Sequence, residues 1–271
     1  MKYKLMCIDV DGTLVDSNKE LPKENKKAIQ EAYKEGLKIA IASGRSPSAV
    51  KEILDDLGIE SYGICLNGAY IIHGDKEVSR YAFSDEQVNI IRKIVENQDV
   101  RTTFSTSELN ITNRMPTGTW LEAMQKSVVK QKQTIVCRNQ ELKNELENHR
   151  GLILKASIME EDDGTYQKVR EELENTNIFD VAKSDTHYID VNIKGINKSK
   201  GVKVLSEYLN IDLSEVICIG DNENDIEMIK VAGLGVAMAN SCKELLEICD
   251  TVTLSNDEYG VAKVIYDYVL S

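Results

Sequence analysis

Tryptophan, phenylalanine, proline and histidine are scarce in this 271-residue chain, at one, three, three and three copies. Positive charge is short as well: 33 Lys and Arg stand against 45 Asp and Glu, a formal net charge of −12. That balance excludes a nucleic-acid duplex as partner, because displacing its counterions takes a dense basic surface. It does not exclude small anions, since a local site or a bound cation can reverse the sign. No apolar run approaches the roughly 18 residues of a membrane helix, so no span is expected. The six cysteines include no Cys-x-x-Cys pair, and Cys7, Cys65 and Cys218 lie in apolar runs where a thiol packs as a small hydrophobe. Neither a disulfide framework nor a zinc site is expected. The start, Met1-Lys2-Tyr3-Lys4, leads straight into an apolar run without a signal-peptide pattern, which points to the cytoplasm. Repeats and low-complexity tracts are absent too.

What is present reads as an ordinary globule, 42% hydrophobic and 29% charged. Strand and helix signals alternate from the start. Residues 5–8 form a short apolar strand that ends in the turn Asp9-Val10-Asp11-Gly12. A helical pattern runs from Pro22 to Gly36, with Ala28, Ile29 and Ala32 on one face. A second strand spans 37–42, a second helix opens at Ser46-Pro47 and stops near Gly58, and a third strand spans 62–66. This βαβαβ opening predicts an α/β, Rossmann-like core with a mostly parallel sheet. The rhythm resumes late, with a helix over 201–209, a strand over 216–220, a helix over 226–232 and a strand over 234–238. A last helix is expected over about 257–269, and Ser241-x-x-Glu244 and Ser255-x-x-Glu258 have the capping-box pattern. Between these blocks lie polar helical stretches and the acidic turn Glu160-Glu161-Asp162-Asp163-Gly164. The expected organisation is an α+β domain over 84–187 inserted into a core of 1–83 and 188–271, since so long a structureless loop is rare.

The chemistry gathers in two acidic turns. Asp9 and Asp11 stand at i and i+2 just past an apolar strand, where open α/β sheets bind ligands. Gly12 permits a tight turn whose N–H groups can hold an anion. Gly220-Asp221-Asn222-Glu223-Asn224-Asp225 also follows an apolar run, which puts Asp221 at the same sheet edge as Asp9. Asp9, Asp11, Asp221 and Asp225 packed together repel unless a divalent cation neutralises them. All-oxygen donors with room for water and phosphate favour Mg²⁺ over Zn²⁺ or a calcium cage. Ser43, beside Gly44 at the end of the second strand, and Lys198, ahead of the helix leading to Asp221, supply donors and charge for a phosphate.

At these residues the chain resembles the haloacid dehalogenase superfamily, and within it the Cof-type phosphatases of subfamily IIB. Their α/β cap is inserted between the second and third motifs. Asp9-Val10-Asp11-Gly12-Thr13 matches the first motif, Ser43-Gly44-Arg45 the second, Lys198 the third and Gly220-Asp221-x-x-Asn224-Asp225 the fourth. The match extends to Asn67-Gly68-Ala69 and to residues 235–240 and 255–262. The family has Gly directly after the third-motif lysine; here Ser199 follows, with Lys200-Gly201 next. Lys198 and Lys200 therefore both come into question, and the Ile196-Asn197-Lys198 run favours Lys198.

The resemblance implies a Mg²⁺-dependent phosphomonoester hydrolase acting on a small anionic phosphometabolite: a sugar phosphate, a nucleotide or flavin precursor, or pyridoxal phosphate. Asp9 would attack phosphorus and form a phospho-aspartyl intermediate. Asp11 would protonate the leaving oxygen and then activate water. Mg²⁺ would be held by Asp9, Asp221, Asp225 and the backbone carbonyl of Asp11. Ser43 and Lys198 would hold the phosphoryl group, with Gly12 and Gly44 in the phosphate loops, and Asn224 would orient Lys198 or a ligand. The alternatives are a phosphomutase of the phosphomannomutase-like type and a non-catalytic phosphate-ligand binding protein, which would be expected to lack Asp9 or Asp11. A monomer or weak homodimer is expected.

Substrate contacts are expected from Asn67, Arg114, Lys126 and His187. Residues 109–140 hold Arg114, Lys126, Lys130, Lys132 and Arg138 against the single acid Glu122, together with Trp120. This basic segment either draws in an anion or is a solvated helix face around Leu121, Met124 and Val128. His187 is chosen because it lies where the insert returns to the core.

Overall fold

Apolar runs of four and five residues, too short for helices, build the middle of a parallel sheet. The computed structural model describes residues 2–115, 133–138, 140–185 and 187–271. In chain order its first elements are β1 (Leu5–Ile8), α1 (Lys23–Lys34), β2 (Lys38–Ala42), α2 (Pro47–Leu57), β3 (Tyr62–Cys65), β4 (Tyr70–His73) and β5 (Lys76–Arg80). There follow α3 (Asp85–Asn97), β6 (Arg101–Ser105), β7 (Leu109–Thr112), β8 (Gln133–Val136), α4 (Gln140–Asn148), β9 (Lys155–Met159), α5 (Asp163–Asn175), β10 (Phe179–Asp185) and β11 (Tyr188–Ile193). The last are α6 (Lys198–Leu209), β12 (Val216–Gly220), α7 (Ile226–Val231), β13 (Leu234–Ala237), α8 (Lys243–Leu246), β14 (Thr251–Val252) and α9 (Gly260–Tyr268).

The fold is mixed α/β with a parallel core. One sheet runs β14-β13-β12-β1-β2-β3-β4-β5 and the other β10-β11-β9-β6-β7-β8. In the first, β1 lies parallel between β2 and β12, with Ile8 level with Ile41 and Ile219. Residues of β1, β3 and β12 are buried throughout, as parallel strands covered on both faces must be. All six cysteines are free thiols. Among the described residues, no helix is long and apolar enough to cross a membrane.

The chain divides into two units. The first takes in Met1–Arg45, Val50–Ser79 and Ile196–Ser271, and the second Ser46–Ala49 and Arg80–Gly195. The return to the first unit therefore falls at Gly195 and not before residue 188, as the sequence boundary had it. Strand β11 is the reason. It pairs antiparallel with β9 and β10, and its Ile189 and Val191 enter the second unit's own core. Its alternation of apolar and polar residues is that of a sheet apolar on one face only, unlike the continuous apolar runs of β1 and β12.

Two other expectations change. The last helix is split: Asn256–Glu258 form a separate short turn closed by the Ser255–Glu258 capping box, Tyr259 is left-handed, and α9 starts at Gly260. The Ser241–Glu244 box does not form, because Cys242 precedes α8 and the Ser241 hydroxyl donates to the Gly220 carbonyl instead.

The first of these departures serves the loop after β1. Its backbone leaves regular structure, so its carbonyls need partners from elsewhere. Asparagines supply them. Asn240 donates to the Gly12 carbonyl at 2.8 Å, Asn25 to that of Leu14 at 3.0 Å and Asn256 to that of Val15 at 3.0 Å. The Asn256 N–H in turn donates to Asn240, and Asp257 accepts both the N–H and the hydroxyl of Ser17. Asn25 is fully buried on α1 and also accepts the N–H of Ala262 at the start of α9.

Asn25→Ala leaves a buried carbonyl and a buried N–H without partners, at about 1–3 kcal/mol each. A thermal melt should show the midpoint falling by about 5 °C or more. An unchanged midpoint would mean that the clamp contributes nothing.

Candidate active site

Because β1, β2 and β12 are parallel neighbours, Asp9, Ser43 and Asp221 leave the sheet at one edge. The chain after Asp9 makes a wide turn: the Leu14 N–H reaches back to the Asp9 carbonyl and the Val15 N–H to that of Val10. Within it Gly12 takes φ 81°, and a Cβ there would stand 2.3 Å from Oδ2 of Asp221. Only glycine lets the two acidic turns approach this closely. Next to it, buried Thr13 donates its hydroxyl to Oδ1 of Asp221 at 2.9 Å.

Lys198 joins the two turns. It is the first residue of α6, whose N-cap Asn197 accepts the Lys200 N–H. Its fully buried ammonium donates to Oδ1 of Asp9 and to Oδ1 of Asp225, each at 2.5 Å. The other oxygen of Asp225 accepts the N–H groups of Asp221 and Asn222, both at 3.0 Å. Asp225 folds back this far because Gly220 has no side chain: a Cβ there would lie 2.5 Å from that of Asp225.

The charges do not balance. Asp9, Asp221 and Asp225 each bring one carboxylate oxygen to within 4.8 Å of the others, with a single ammonium among them. Burial pushes the Asp9 carboxyl well above its ordinary range, the neighbouring Asp225 pushes it further, and Lys198 offsets only part. Burial and Asp225 likewise push Asp221 up to about 6. Burial opposes the Lys198 charge, yet Asp225 and Asp9 outweigh it and hold the ammonium firmly protonated. Surplus negative charge on an all-oxygen donor set fits a divalent cation, and oxygens around one octahedral Mg²⁺ stand about 3 to 4 Å apart. The three carboxylates are a donor set suited to a divalent cation.

Asp11 faces another way. Arg45 grips its carboxylate with two N–H groups at 2.8 and 2.7 Å, and Lys19 adds a third contact at 3.1 Å. Burial raises its pKa, but Arg45 and Lys19 more than reverse that and bring it down to about 2. Its side chain is not in the three-carboxylate cluster. The Arg45 and Lys19 contacts were not foreseen. Arg45 lies within a recognised motif, whereas an exposed lysine in a polar turn carries no sequence signal.

The remaining candidates divide between the units. Ser43 is buried, and its hydroxyl accepts the Arg45 N–H while keeping its own proton to donate. Gly44 sits half-buried in the turn between them. Asn67, buried beyond β3, donates its N–H to the Ser43 carbonyl and accepts the Asn224 amide at 3.3 Å. Asn224 is thus turned to Asn67 and not to Lys198. In the second unit, Arg114 is tied to the Asp99 carbonyl and carboxylate. Both contacts use a single nitrogen of the guanidinium, on a partly exposed side chain. His187 takes a left-handed turn between β10 and β11, 3.9 Å from Asp163, and all of β11 separates it from the return at Gly195. Lys126 and Trp120 lie outside the described residues.

A family model described as haloacid dehalogenase-like hydrolase matches residues 6–265. The chain is 32% identical over 268 residues to the 5-amino-6-(5-phospho-D-ribitylamino)uracil phosphatase YcsE of Bacillus subtilis (strain 168), covering 98% of this chain and 96% of that one. It superposes on a haloacid dehalogenase-like hydrolase from B. subtilis with a TM-score of 0.86 at 25% identity, covering 98% and 99% of the two chains. The subclass IIB sugar phosphatase BT4131 gives a TM-score of 0.83 at 25% identity, with 98% of each chain covered.

The raised Asp221 pKa has a signed consequence. The folded state holds that proton more tightly than the unfolded chain, so without metal the contribution of Asp221 to stability is fully present below about pH 4 and is lost as pH climbs to about 6. Melts in EDTA should show the midpoint dropping across that window, and Mg²⁺ should flatten the drop by favouring the ionised carboxylates. A midpoint that rises over the same window in EDTA contradicts this electrostatic account.

Proposed function

Because this chain belongs to the haloacid dehalogenase-like hydrolases and is a phosphatase, we propose that it cleaves small phosphorylated metabolites with Mg²⁺ and a phospho-aspartyl intermediate on Asp9. The observation that carries this reading is the buried Asp9 carboxylate with one oxygen pinned by Lys198 at 2.5 Å. A nucleophile must be both ionised and aimed; an ammonium held this way aims it and offsets part of the cost of ionising it. Bound Mg²⁺ supplies the further positive charge that three clustered carboxylates require and that a phosphoryl group shares in transfer.

In the first half-reaction an Asp9 oxygen bonds to phosphorus, the ester P–O bond breaks, and the leaving oxygen takes a proton from Asp11. In the second, water attacks phosphorus, Asp11 accepts its proton, and the Asp9–phosphorus bond breaks to release inorganic phosphate. The Arg45 and Lys19 contacts keep Asp11 ionised, the state required for the second half-reaction. To act as acid in the first, Asp11 leaves those partners and carries a proton, taken up from solvent before the first turnover and from the attacking water in each turnover after. Ser43 donates its hydroxyl to a phosphoryl oxygen, and Asn67 braces Asn224 beneath the fourth motif. The substrate classes that fit are sugar phosphates, nucleotide or flavin precursors of the kind named for the B. subtilis relative, and pyridoxal phosphate.

A panel of phosphomonoesters assayed for phosphate release tests this. Turnover of at least one ester in Mg²⁺, its loss in EDTA, and its fall to background in Asp9→Asn with an unchanged melt are expected. Full activity in Asp9→Asn would refute the assignment of the nucleophile. Net isomerisation without phosphate release would make the protein a mutase.

A further inference from the structure

Just past β3 the backbone of the first unit is under unusual strain. Leu66, Asn67 and Gly68 take φ of 52°, 56° and 91° in succession, and among the described residues every other left-handed position stands alone. A residue with a Cβ adopts that conformation at a cost, least for asparagine and most for a bulky side chain such as leucine. Such strain persists only where the surroundings over-determine it, and it gathers at functional sites. Leu66 is 2% exposed and Asn67 4%, so the strain sits inside the packed structure and not in a loose surface loop.

Contacts to three other segments hold the turn in place. The N–H groups of Leu66 and Asn67 donate to the carbonyls of Arg45 and Ser43, each at 3.0 Å. They carry the parallel pairing of β2 with β3 past the strand ends, into the turn that bears the Ser43 hydroxyl. The side-chain oxygen of Asn67 accepts the Asn224 amide at 3.3 Å, which reaches the second acidic turn. Gly68 lies against the start of α6: a Cβ on it would stand 2.2 Å from the carbonyl of Asn197, the residue before Lys198. Reversing φ at residue 67 would rotate its two flanking peptides against each other, so the Ser43 and Asn197 contacts could not both survive.

The segments joined in this way have separate tasks in one reaction. Ser43 donates to a phosphoryl oxygen, and Lys198 aims the Asp9 carboxylate that attacks the phosphorus. Their spacing decides whether the attack runs in line, and a misplacement of about 1 Å can cost about a hundredfold in rate. We propose that the left-handed turn Leu66–Gly68 sets that spacing, with Asn67 as a positioning residue that acts from behind Ser43 and does not touch the substrate. The inference rests on the phosphatase reading above. It moves Asn67 from the substrate contact expected of it in the sequence to a brace between the second, third and fourth motifs.

The test measures kcat and KM for p-nitrophenyl phosphate in Mg²⁺ with Asn67→Ala and Asn67→Gly, each checked by a thermal melt. Both variants lose the side-chain bond to Asn224, but only alanine resists the left-handed conformation. Asn67→Ala should lower kcat at least about thirtyfold while KM moves less than about threefold, the pattern of a contact that matters in the transition state. Asn67→Gly should recover at least about tenfold of that loss. If the alanine variant does not fold, Asn67→Ser, which keeps a side-chain acceptor but resists the conformation as alanine does, takes its place and should lower kcat at least about tenfold. Equal losses in the alanine and glycine variants, a loss taken wholly in KM, or a folded alanine variant with wild-type kcat overturns the proposal and leaves the phosphatase reading intact. A wild-type protein that releases no phosphate from this ester or from any other of the panel overturns both.

Discussion

One buried ammonium holds the catalytic edge together. Lys198 has no exposed surface and donates to Asp9 and Asp225, the first of which lies 189 positions away in sequence. An unpaired charge in that place would cost several kcal/mol, so the two acidic turns and the start of α6 must meet or none of them is stable there. The requirement explains small features around it. Gly12 and Gly220 have no side chain where one would strike Asp221 or Asp225, and the second oxygen of Asp225 is taken by two backbone N–H groups. The lysine also sets a limit. It neutralises one charge of three, and the residual repulsion is what makes the site receptive to a divalent cation.

Around that edge the fold solves a second problem, an irregular backbone in a dry place. The carbonyls of Gly12, Leu14 and Val15 cannot join a ladder, and asparagines from three other segments satisfy them. The short turn at Asn256–Glu258 exists in this form because two of its side chains are committed to the first loop. Stability and site geometry are thus carried by the same hydrogen bonds. The second unit is built differently, with an apolar sheet face packed on its own helices.

Much of this was legible in the sequence. Unbroken apolar runs ending in acidic or small polar residues have one economical reading, a parallel strand and its carboxyl end, and Asp9, Ser43 and Asp221 all follow such runs. Lys198 was legible only through the pattern of its neighbours, since a lysine near a helix start is ordinarily solvated. Other features depend on partners far along the chain. Ser241 has a capping spacing but finds the Gly220 carbonyl first. Asp11 looks like a free acid until Arg45 and Lys19 are seen on it. Arg114 looks like an unpaired cation until Asp99 is seen beside it. The boundary near residue 188 was misplaced because β11 had been counted with the core, although its alternating pattern carried the signal.

The claim on which the account stands is that Asp9, held by Lys198, takes the phosphoryl group covalently. Mass spectrometry of enzyme quenched in acid during turnover, then digested, tests it most directly. The account predicts the added mass of one phosphoryl group on the peptide carrying Asp9, removable by hydroxylamine and missing when Mg²⁺ is withheld. Rapid turnover with that peptide unmodified at every quench time, or with the phosphoryl group on a different side chain, would contradict it.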